Sequence, residues 1–148
     1  MTEPASAPPP GRIIIKKSAR KLFLIKNNRL VDDFTISLGA DPTGPKERAG
    51  DDRTPEGTYI VNWKNPDSHY FLSLHLSYPN AADRARAAAK GVSPGDNIMI
   101  HGLPNQPNHA PAYYRERDWT HGCIAVSNEA MATIWQDVQP GTVVQIEP

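Results

Sequence analysis

The feature that most constrains the fold is a series of short β-branched and apolar runs, each bounded by charged or turn-forming residues. Lys21–Lys26, for example, places four consecutive apolar residues between two lysines. Runs this short and this rich in branched side chains are typical of β-strands. The chain is therefore predicted to fold mainly as strands, over residues 12–17, 21–26, 30–38, 58–63, 70–77, 97–101, 122–126 and 142–146.

Two segments have helical features instead. Asn80 is a favourable N-cap for an Ala/Arg-rich run that Gly91 ends, and Ser127 or Asn128 is a favourable N-cap for a second run. The predicted helices cover residues 81–90 and 129–138, the second with an inward stripe of Met131, Ile134 and Trp135. Because strands outnumber these one or two helices, the predicted fold class is α+β, mostly β, in a single domain.

Two long connections separate these elements, at residues 39–57 and 102–119. The first is rich in Gly, Pro and charge, and ordered loops of this length are often functional in a compact domain. Residues 1–11 are predicted to form a disordered Pro/Ala-rich leader, and residues 12–148 to form the domain.

Composition argues against several kinds of partner. Sixteen Lys and Arg residues balance sixteen Asp and Glu residues, and this zero net charge disfavours bulk electrostatic binding to nucleic acid or to an anionic membrane. No apolar run approaches the roughly 20 residues that cross a bilayer. The leader has neither the basic nor the apolar region of a secretory signal. The protein is therefore expected to be cytoplasmic, or to have lost its export signal.

Cys123 is the only cysteine, and its surroundings favour chemistry over packing. It follows His121 and Gly122, and a second histidine, His101, ends a predicted strand upstream. An imidazole that removes the thiol proton creates a nucleophile able to attack a carbonyl. Gly122 allows backbone amides to approach a developing oxyanion. The pattern favours a nucleophile over the commoner role of a single cysteine, a small buried hydrophobe.

A metal site is the competing interpretation of the same residues. His101, His109, His121 and Cys123 are possible zinc ligands. The chain has no second cysteine and no His-Glu-x-x-His motif, and the His-x-Cys spacing is cramped around one ion. His109 lies in a loop rich in Pro and Asn and is expected to be exposed. No metal and no cofactor are predicted.

The joint pattern resembles the L,D-transpeptidase (YkuD-type) catalytic domain of bacterial cell-wall enzymes. That family's signature is a histidine, a spacer, and then Ser/Thr-His-Gly-Cys, which here reads His101-Gly102 and, after the spacer, Thr120-His121-Gly122-Cys123. Three further stretches are similar to the family: Lys21–Leu24, the Gly44–Asp51 segment and Arg53–Gly57. The resemblance covers roughly residues 12 to 147.

The resemblance implies a YkuD-like β-sandwich and a mechanism. Cys123 would attack the carbonyl of the third stem-peptide residue, meso-diaminopimelate in most such substrates, and release terminal D-alanine. The thioester would then pass to an amine or to water. His101 would be the base, and His121 would orient the site, bind substrate or exchange roles with His101. The oxyanion and positioning group would be Thr120, Gly122 and Gly102.

Two departures from the family pattern affect the substrate more than the chemistry. Many members carry an Arg or Asn that helps hold the substrate at the position of Ala125. Carboxylate recognition would then come from Arg115 or Arg117 in the loop, or the substrate differs. The spacer is slightly longer than usual, so residues 103–119 are expected to form a distinctive lid. Its aromatic residues are candidates to line a peptide groove: Tyr113, Tyr114 and Trp119.

The sequence thus predicts a cysteine acyltransferase that acts on peptidoglycan stem peptides. A hydrolase acting on the same bond type, such as an L,D-carboxypeptidase or a diaminopimelate-linked amidase, stays open, and so does a non-catalytic cell-wall-binding module. Because peptidoglycan lies outside the cytoplasmic membrane, the resemblance implies a periplasmic or envelope-associated protein whose signal is missing from this chain. No nucleic-acid partner is expected, and a monomer is favoured.

Overall fold

The computed structural model describes residues 11–148, and the leader expected over residues 1–11 lies outside the described residues except for Gly11. The described residues form eight strands and three helices, so the mostly-β α+β class is confirmed. In chain order these are β1 (Gly11–Lys16), β2 (Lys21–Lys26), β3 (Arg29–Thr35), β4 (Gly57–Ser68), β5 (Phe71–Leu76), α1 (Ala81–Ala89), β6 (Met99–His101), α2 (Pro111–Arg115), β7 (Ile124–Ala125), α3 (Asn128–Asp137) and β8 (Val143–Glu147).

The eight strands form one sheet in the order β3-β2-β1-β8-β4-β5-β6-β7. Its pairs are antiparallel except β1–β8 and β6–β7, which are parallel. The sheet curls until Ser37, which follows β3, forms a bridge with Ala125 on β7. The Ser37 N–H donates to the Ala125 carbonyl at 2.8 Å, and the Ala125 N–H donates back at 2.9 Å. The predicted β-sandwich is thus built from one sheet that curls back on itself.

The hairpin between β2 and β3 shows how local chemistry sets the register. Lys26 pairs with Arg29, which leaves Asn27 and Asn28 as a two-residue turn with φ of 51° and 61°. Positive φ at both turn positions is typical of a type I′ turn, and Asn adopts it more readily than most residues do. The turn thus sets the pairing of Ile25 with Leu30, and a bulge between Leu24 and Ile25 shifts the register beyond it. On β2, the alternating residues Leu22 and Leu24 reach the core.

The two predicted long helices are present, each with its cap. Asn80 and Asp83 form a complete capping box at the start of α1, and the Ser127 hydroxyl accepts from the Ala130 N–H at the start of α3. On α3, Met131 and Ile134 are fully buried, as the stripe predicted. None of the helices in residues 11–148 is long and apolar enough to span a bilayer.

Several predicted boundaries differ from the structure at backbone irregularities. β6 begins at Met99 rather than at residue 97, because Asn97 has a φ of 57°. β7 is reduced to Ile124–Ala125, because Gly122, with a φ of 132°, turns the chain just before it. The loop after β6 contains the short helix α2, which was not predicted. Smaller differences lie in β3, which ends at Thr35, and in β4, which continues to Ser68.

Lys17 fastens the long connection between β3 and β4 to the sheet. Its side chain is only 4% exposed, and its Nζ donates to the carbonyls of Gly44 (2.9 Å) and Thr54 (2.7 Å) and to Glu56 Oε2 (3.1 Å). Burial lowers the pKa of Lys17 from its usual value, against the opposing effect of the Glu56 carboxylate. A buried amine with three oxygen partners thus ties the middle of the connection to its C-terminal end.

Lys17→Met is expected to lower the free energy of unfolding by about 3 kcal/mol, because it leaves a largely buried carboxylate and two carbonyls without their donor. Lys16→Met is the matched control: Lys16 is exposed, and its loss is expected to cost less than about 0.5 kcal/mol. Urea unfolding of the two variants measures the difference. Equal free energies would contradict the anchoring role of Lys17.

Candidate active site

The parallel pair β6–β7 positions Cys123 beside His101. His101 pairs with Ala125 across the two strands, and Cys123 lies two residues before Ala125. Since side chains alternate along extended backbone, Cys123 and Ala125 face the same side of the sheet as His101. Ideal strand spacings place the Cα atoms of Cys123 and His101 about 8 Å apart, and both residues line the same cleft.

Cys123 and His101 line one cleft of about 420 Å³. His121 and Thr120 lie at the same cleft, so the structure brings together all the residues of the His-Gly-Cys motif that carry a side chain. Three of the loop aromatics contribute to its wall: Tyr113, Tyr114 and Trp119. Tyr70 and Met99, which the sequence did not single out, complete the environment of the two reactive groups.

His101 is held in one orientation inside this cleft. It is 2% exposed, its ring stacks on Tyr70 with centroids 4.3 Å apart, and Trp119 lies against it at 5.7 Å. Its Nδ1 is 2.7 Å from the Gly102 carbonyl. A carbonyl only accepts hydrogen bonds, so Nδ1 of the neutral ring donates and Nε2 is left as a proton acceptor.

Gly102 contributes to this geometry through its backbone. Its carbonyl fixes the tautomer of His101, and its N–H donates to the Tyr70 carbonyl at 2.9 Å. A side chain at this position would meet Asn128 Oδ1 at 2.5 Å and Phe71 at 3.1 Å. Gly102 therefore fits a positioning role for His101 and does not itself line the cleft.

Burial makes both reactive groups neutral near pH 7. Removal from water lowers the pKa of His101 to about 4 and raises the pKa of the Cys123 thiol to about 11. The thiol donates to the Asn97 carbonyl, with Sγ and O 3.3 Å apart. At rest the two groups are therefore a thiol and a neutral imidazole.

Thr120 and Gly122 shape the turn that presents the thiol. The Thr120 hydroxyl donates to the Cys123 carbonyl at 2.7 Å and accepts from the Gly122 N–H at 3.1 Å. Gly122 has a φ of 132°, and a Cβ there would lie 2.7 Å from the Arg53 carbonyl oxygen. Because the Gly122 amide is already engaged by Thr120, the Cys123 amide is the better candidate for an oxyanion donor.

His121 lies at the rim of the cleft rather than inside it. Its side chain is 94% exposed, and its Nδ1 is 3.0 Å from Asp52 Oδ1. Asp52 is a partner that the sequence did not reveal, since it lies 69 residues away in the chain. The two histidines therefore differ in kind: His101 is buried and neutral, whereas His121 faces solvent beside a carboxylate.

The structure separates the two arginines proposed for substrate recognition. Arg115 lines a second cavity of about 520 Å³, next to Ala125, and this cavity shares Tyr114 and Trp119 with the Cys123 cleft. Arg117 lies over the Tyr113 ring at 4.2 Å and lines neither cavity. Of the two, only Arg115 is placed to meet a substrate that extends past Ala125.

The remaining candidate metal ligand, His109, lies on the loop side of the same cleft. It is exposed, as expected, and stacks on Tyr113 with centroids 3.6 Å apart. Within residues 11–148, no three His, Cys, Asp or Glu side chains converge as metal ligands do. Tyr114 is buried and packs edge-on against Trp119 at 5.0 Å. The loop aromatics thus both pin the loop and line the cleft.

Comparison with known proteins gives one family. A family model described as the L,D-transpeptidase catalytic domain (YkuD) matches residues 10–146. A curated relative, "Putative L,D-transpeptidase YafK" of Escherichia coli (strain K12), is 33% identical over 153 aligned positions, covering 94% of this chain and 54% of YafK. The chain therefore spans about half the length of this curated relative.

Solved structures agree on the fold. The helical cell shape determining protein Pgp2 from Campylobacter jejuni matches with a TM-score of 0.72 and 25% identity, over 93% of this chain and 47% of Pgp2. Bd1075 of Bdellovibrio bacteriovorus matches with a TM-score of 0.67 and 20% identity, over 95% of this chain and 48% of that chain. At this identity the second likeness concerns the fold alone.

Acid is expected to destabilise the protein through His101. The folded pKa is about 4, whereas an unfolded histidine titrates near 6.5, so the unfolded state binds a proton first as pH falls. Stability from this residue is complete above pH ~6.5 and is lost toward pH ~4, by about 3 kcal/mol at most. Urea unfolding of wild type and His101→Gln across this range measures it. A variant with an unchanged pH slope would contradict the assignment, and exposed His69→Gln serves as control.

Proposed function

The chain belongs to the L,D-transpeptidase catalytic-domain family, and on that premise we propose that it is a cysteine acyltransferase acting on peptidoglycan stem peptides. The observation that carries the proposal is the shared cleft, which Cys123 lines together with a buried histidine whose Nδ1 is bonded to a carbonyl, leaving Nε2 to accept a proton. Such a pair needs no metal or cofactor to form an acyl-enzyme.

The first half-reaction forms a thioester. The Cys123 thiol transfers its proton to Nε2 of His101 while sulfur bonds to the carbonyl carbon of the third stem-peptide residue, a diaminopimelate. The Cys123 N–H stabilises the oxyanion of the tetrahedral intermediate. As the C–N bond breaks, the His101 imidazolium protonates the leaving amine, and D-alanine departs. The low pKa of His101, about 4, makes its cation a strong acid that gives the proton up readily.

The second half-reaction transfers the acyl group. A nucleophile loses a proton and attacks the thioester carbonyl, the C–S bond breaks, and the sulfur leaves as a thiolate that regains a proton. An amine from another stem peptide gives a cross-link, whereas water gives the shortened peptide. Hydrolysis is the alternative outcome, favoured by the exposure of His121 (94%), since solvent reaches this rim of the cleft freely.

The site of action follows from the substrate. A protein that modifies peptidoglycan works in the cell envelope, and the similar protein Pgp2 is a helical cell shape determining protein. We therefore place this protein in the periplasm or at the envelope, with a role in wall structure.

Cys123→Ala is expected to lower D-alanine release from tetrapeptide muropeptides by at least ~10³-fold, because no other group forms the thioester. His101→Ala is expected to abolish acylation as well, and His69→Gln, on the exposed surface, to retain activity. Mass spectrometry of the products measures each. Unchanged turnover in Cys123→Ala would refute the proposed chemistry.

The same assay separates transfer from hydrolysis. Dimers, or exchange of the terminal D-amino acid, indicate an acyltransferase, and tripeptide alone indicates an L,D-carboxypeptidase. A muropeptide that carries a diaminopimelate-linked amino acid tests the amidase alternative. Binding to cell wall without any product would favour the non-catalytic module.

Arg115→Ala is expected to raise KM for tetrapeptide substrates about tenfold with little change in kcat, because a guanidinium–carboxylate contact contributes roughly 1.5–3 kcal/mol to binding. Arg117→Ala is the matched comparison on the same loop and is expected to change KM less than twofold, because Arg117 lines neither cavity. Steady-state kinetics of the two variants decides between them. The reverse ranking would assign carboxylate recognition to Arg117.

A further inference from the structure

His121 and Asp52 form a pair that the first half-reaction does not use. Nδ1 of His121 lies 3.0 Å from Asp52 Oδ1, and the structure gives no partner for its Nε2 in residues 11–148. The ring is at the rim of the Cys123 cleft and is almost wholly exposed to solvent. A carboxylate on one ring nitrogen leaves the other available to exchange a proton with a substrate.

Asp52 is held in place by backbone packing. Its φ is 56°, a left-handed conformation that costs a residue other than glycine about 1 kcal/mol or more. Its carbonyl accepts from the Asp41 N–H at 3.0 Å and lies so close to Gly39 that a Cβ there would be 2.1 Å from the oxygen. These contacts fix the backbone at Asp52, and in that position its carboxylate reaches His121.

The neighbouring aspartate, Asp51, has a different task. Its carboxylate accepts from Lys46 Nζ at 2.7 Å and from three backbone N–H groups at 2.9 to 3.2 Å. These bonds keep the pKa of Asp51 below its usual value although burial opposes them. Asp51 therefore stabilises the turn over residues 46–53 through internal hydrogen bonds. Asp52 is the carboxylate at the rim of the cleft.

His101 is poorly placed to receive the second nucleophile. It is 2% exposed and enclosed by Tyr70 and Trp119, so its Nε2 has little access to solvent. After the first half-reaction the acyl group fills the space next to Cys123. A nucleophile that arrives from solvent meets the rim of the cleft first, where His121 is exposed.

We propose that Asp52 and His121 form a second acid–base pair, in which Asp52 positions His121 to take the proton of the nucleophile that attacks the thioester. The inference rests on the proposed function and assigns a residue to its second half-reaction. His121 Nε2 accepts the proton from the incoming amine or water, the new bond to the carbonyl carbon forms, and the C–S bond breaks. The thiolate of Cys123 then takes a proton from the His121 imidazolium, which returns both groups to their starting state.

This division of work gives each histidine one half-reaction. His101 acts on the sulfur and the leaving amine in the first half-reaction, and His121, at the rim of the cleft, acts on the acceptor and then on the departing thiolate in the second. Asp52 is a positioning residue, because it acts on the substrate only through the His121 ring.

The experiment measures the two half-reactions separately in Asp52→Asn and His121→Gln. Rapid acid quench follows the burst of D-alanine, which reports acylation of Cys123. Intact-protein mass spectrometry follows the lifetime of the acyl-enzyme, with and without added acceptor peptide. Asp41→Asn is the matched control, since Asp41 lies in the same connection and is 61% exposed in a weak pair with Arg53 at 3.6 Å.

The expected result is acylation within about twofold of wild type in both variants, with decay of the acyl-enzyme slowed ~10-fold in Asp52→Asn and ~100-fold in His121→Gln. The acyl-enzyme then accumulates during turnover. Asp52→Glu is expected to restore part of the decay rate, and free imidazole to restore part of it in His121→Ala, which a merely structural defect would not allow.

Normal acylation with unchanged decay in both variants would overturn the second pair alone. Equal slowing of acylation and decay would also overturn it, because it would place His121 in both steps or in the fold. Absence of any acylation of wild-type Cys123 would overturn the proposed function itself, and this pair with it.

Discussion

The site depends on the close packing of two backbone carbonyls in the β3–β4 connection, those of Asp52 and Arg53, against Gly39 and Gly122. The Asp52 carbonyl occupies the space of a side chain at Gly39, and the Arg53 carbonyl occupies the space of a side chain at Gly122. Because Gly122 precedes the thiol, this contact sets where Cys123 stands relative to β6 and His101. It also brings Asp52 beside His121. Lys17 anchors residues 44, 54 and 56 of the connection, and Asp51 bonds to residues 46–48 and 53, so polar groups outside the cleft fix its geometry.

Burial then determines how the chemistry proceeds. In water a cysteine–histidine pair next to one another often rests as an ion pair, but here desolvation disfavours both charges. The pKa of the thiol is about 11 and that of His101 about 4, so charge appears only as the substrate carbonyl is attacked. A neutral thiol is less reactive toward other electrophiles. The enclosure therefore couples activation of Cys123 to the presence of a substrate that excludes water and supplies the developing oxyanion.

The sequence alone was sufficient to predict the elements that depend on interactions between neighbouring residues. The Asn80 cap and the α3 stripe both follow from residues within one or two helical turns of each other, and the structure confirms them. The five-residue helix α2 was missed because it has no side-chain cap and too few residues for a periodic pattern. β6 was overestimated because the positive φ of Asn97 depends on tertiary packing.

The candidate site could be predicted from the sequence to a similar extent. Cys123, His101 and His121 stand in a motif whose chemistry is readable, and the structure places all three at one cleft. Tyr70 and Asp52 were not readable, because they reach the histidines from 31 and 69 residues away, as the partners in the ring stack and the hydrogen bond show.

The proposed mechanism requires that Cys123 carries the acyl group. Enzyme that is acid-quenched during turnover, digested and mapped by tandem mass spectrometry is the most direct test. We expect a hydroxylamine-sensitive thioester of the tripeptide on the Cys123 peptide; product formation with that peptide unmodified throughout would contradict this role.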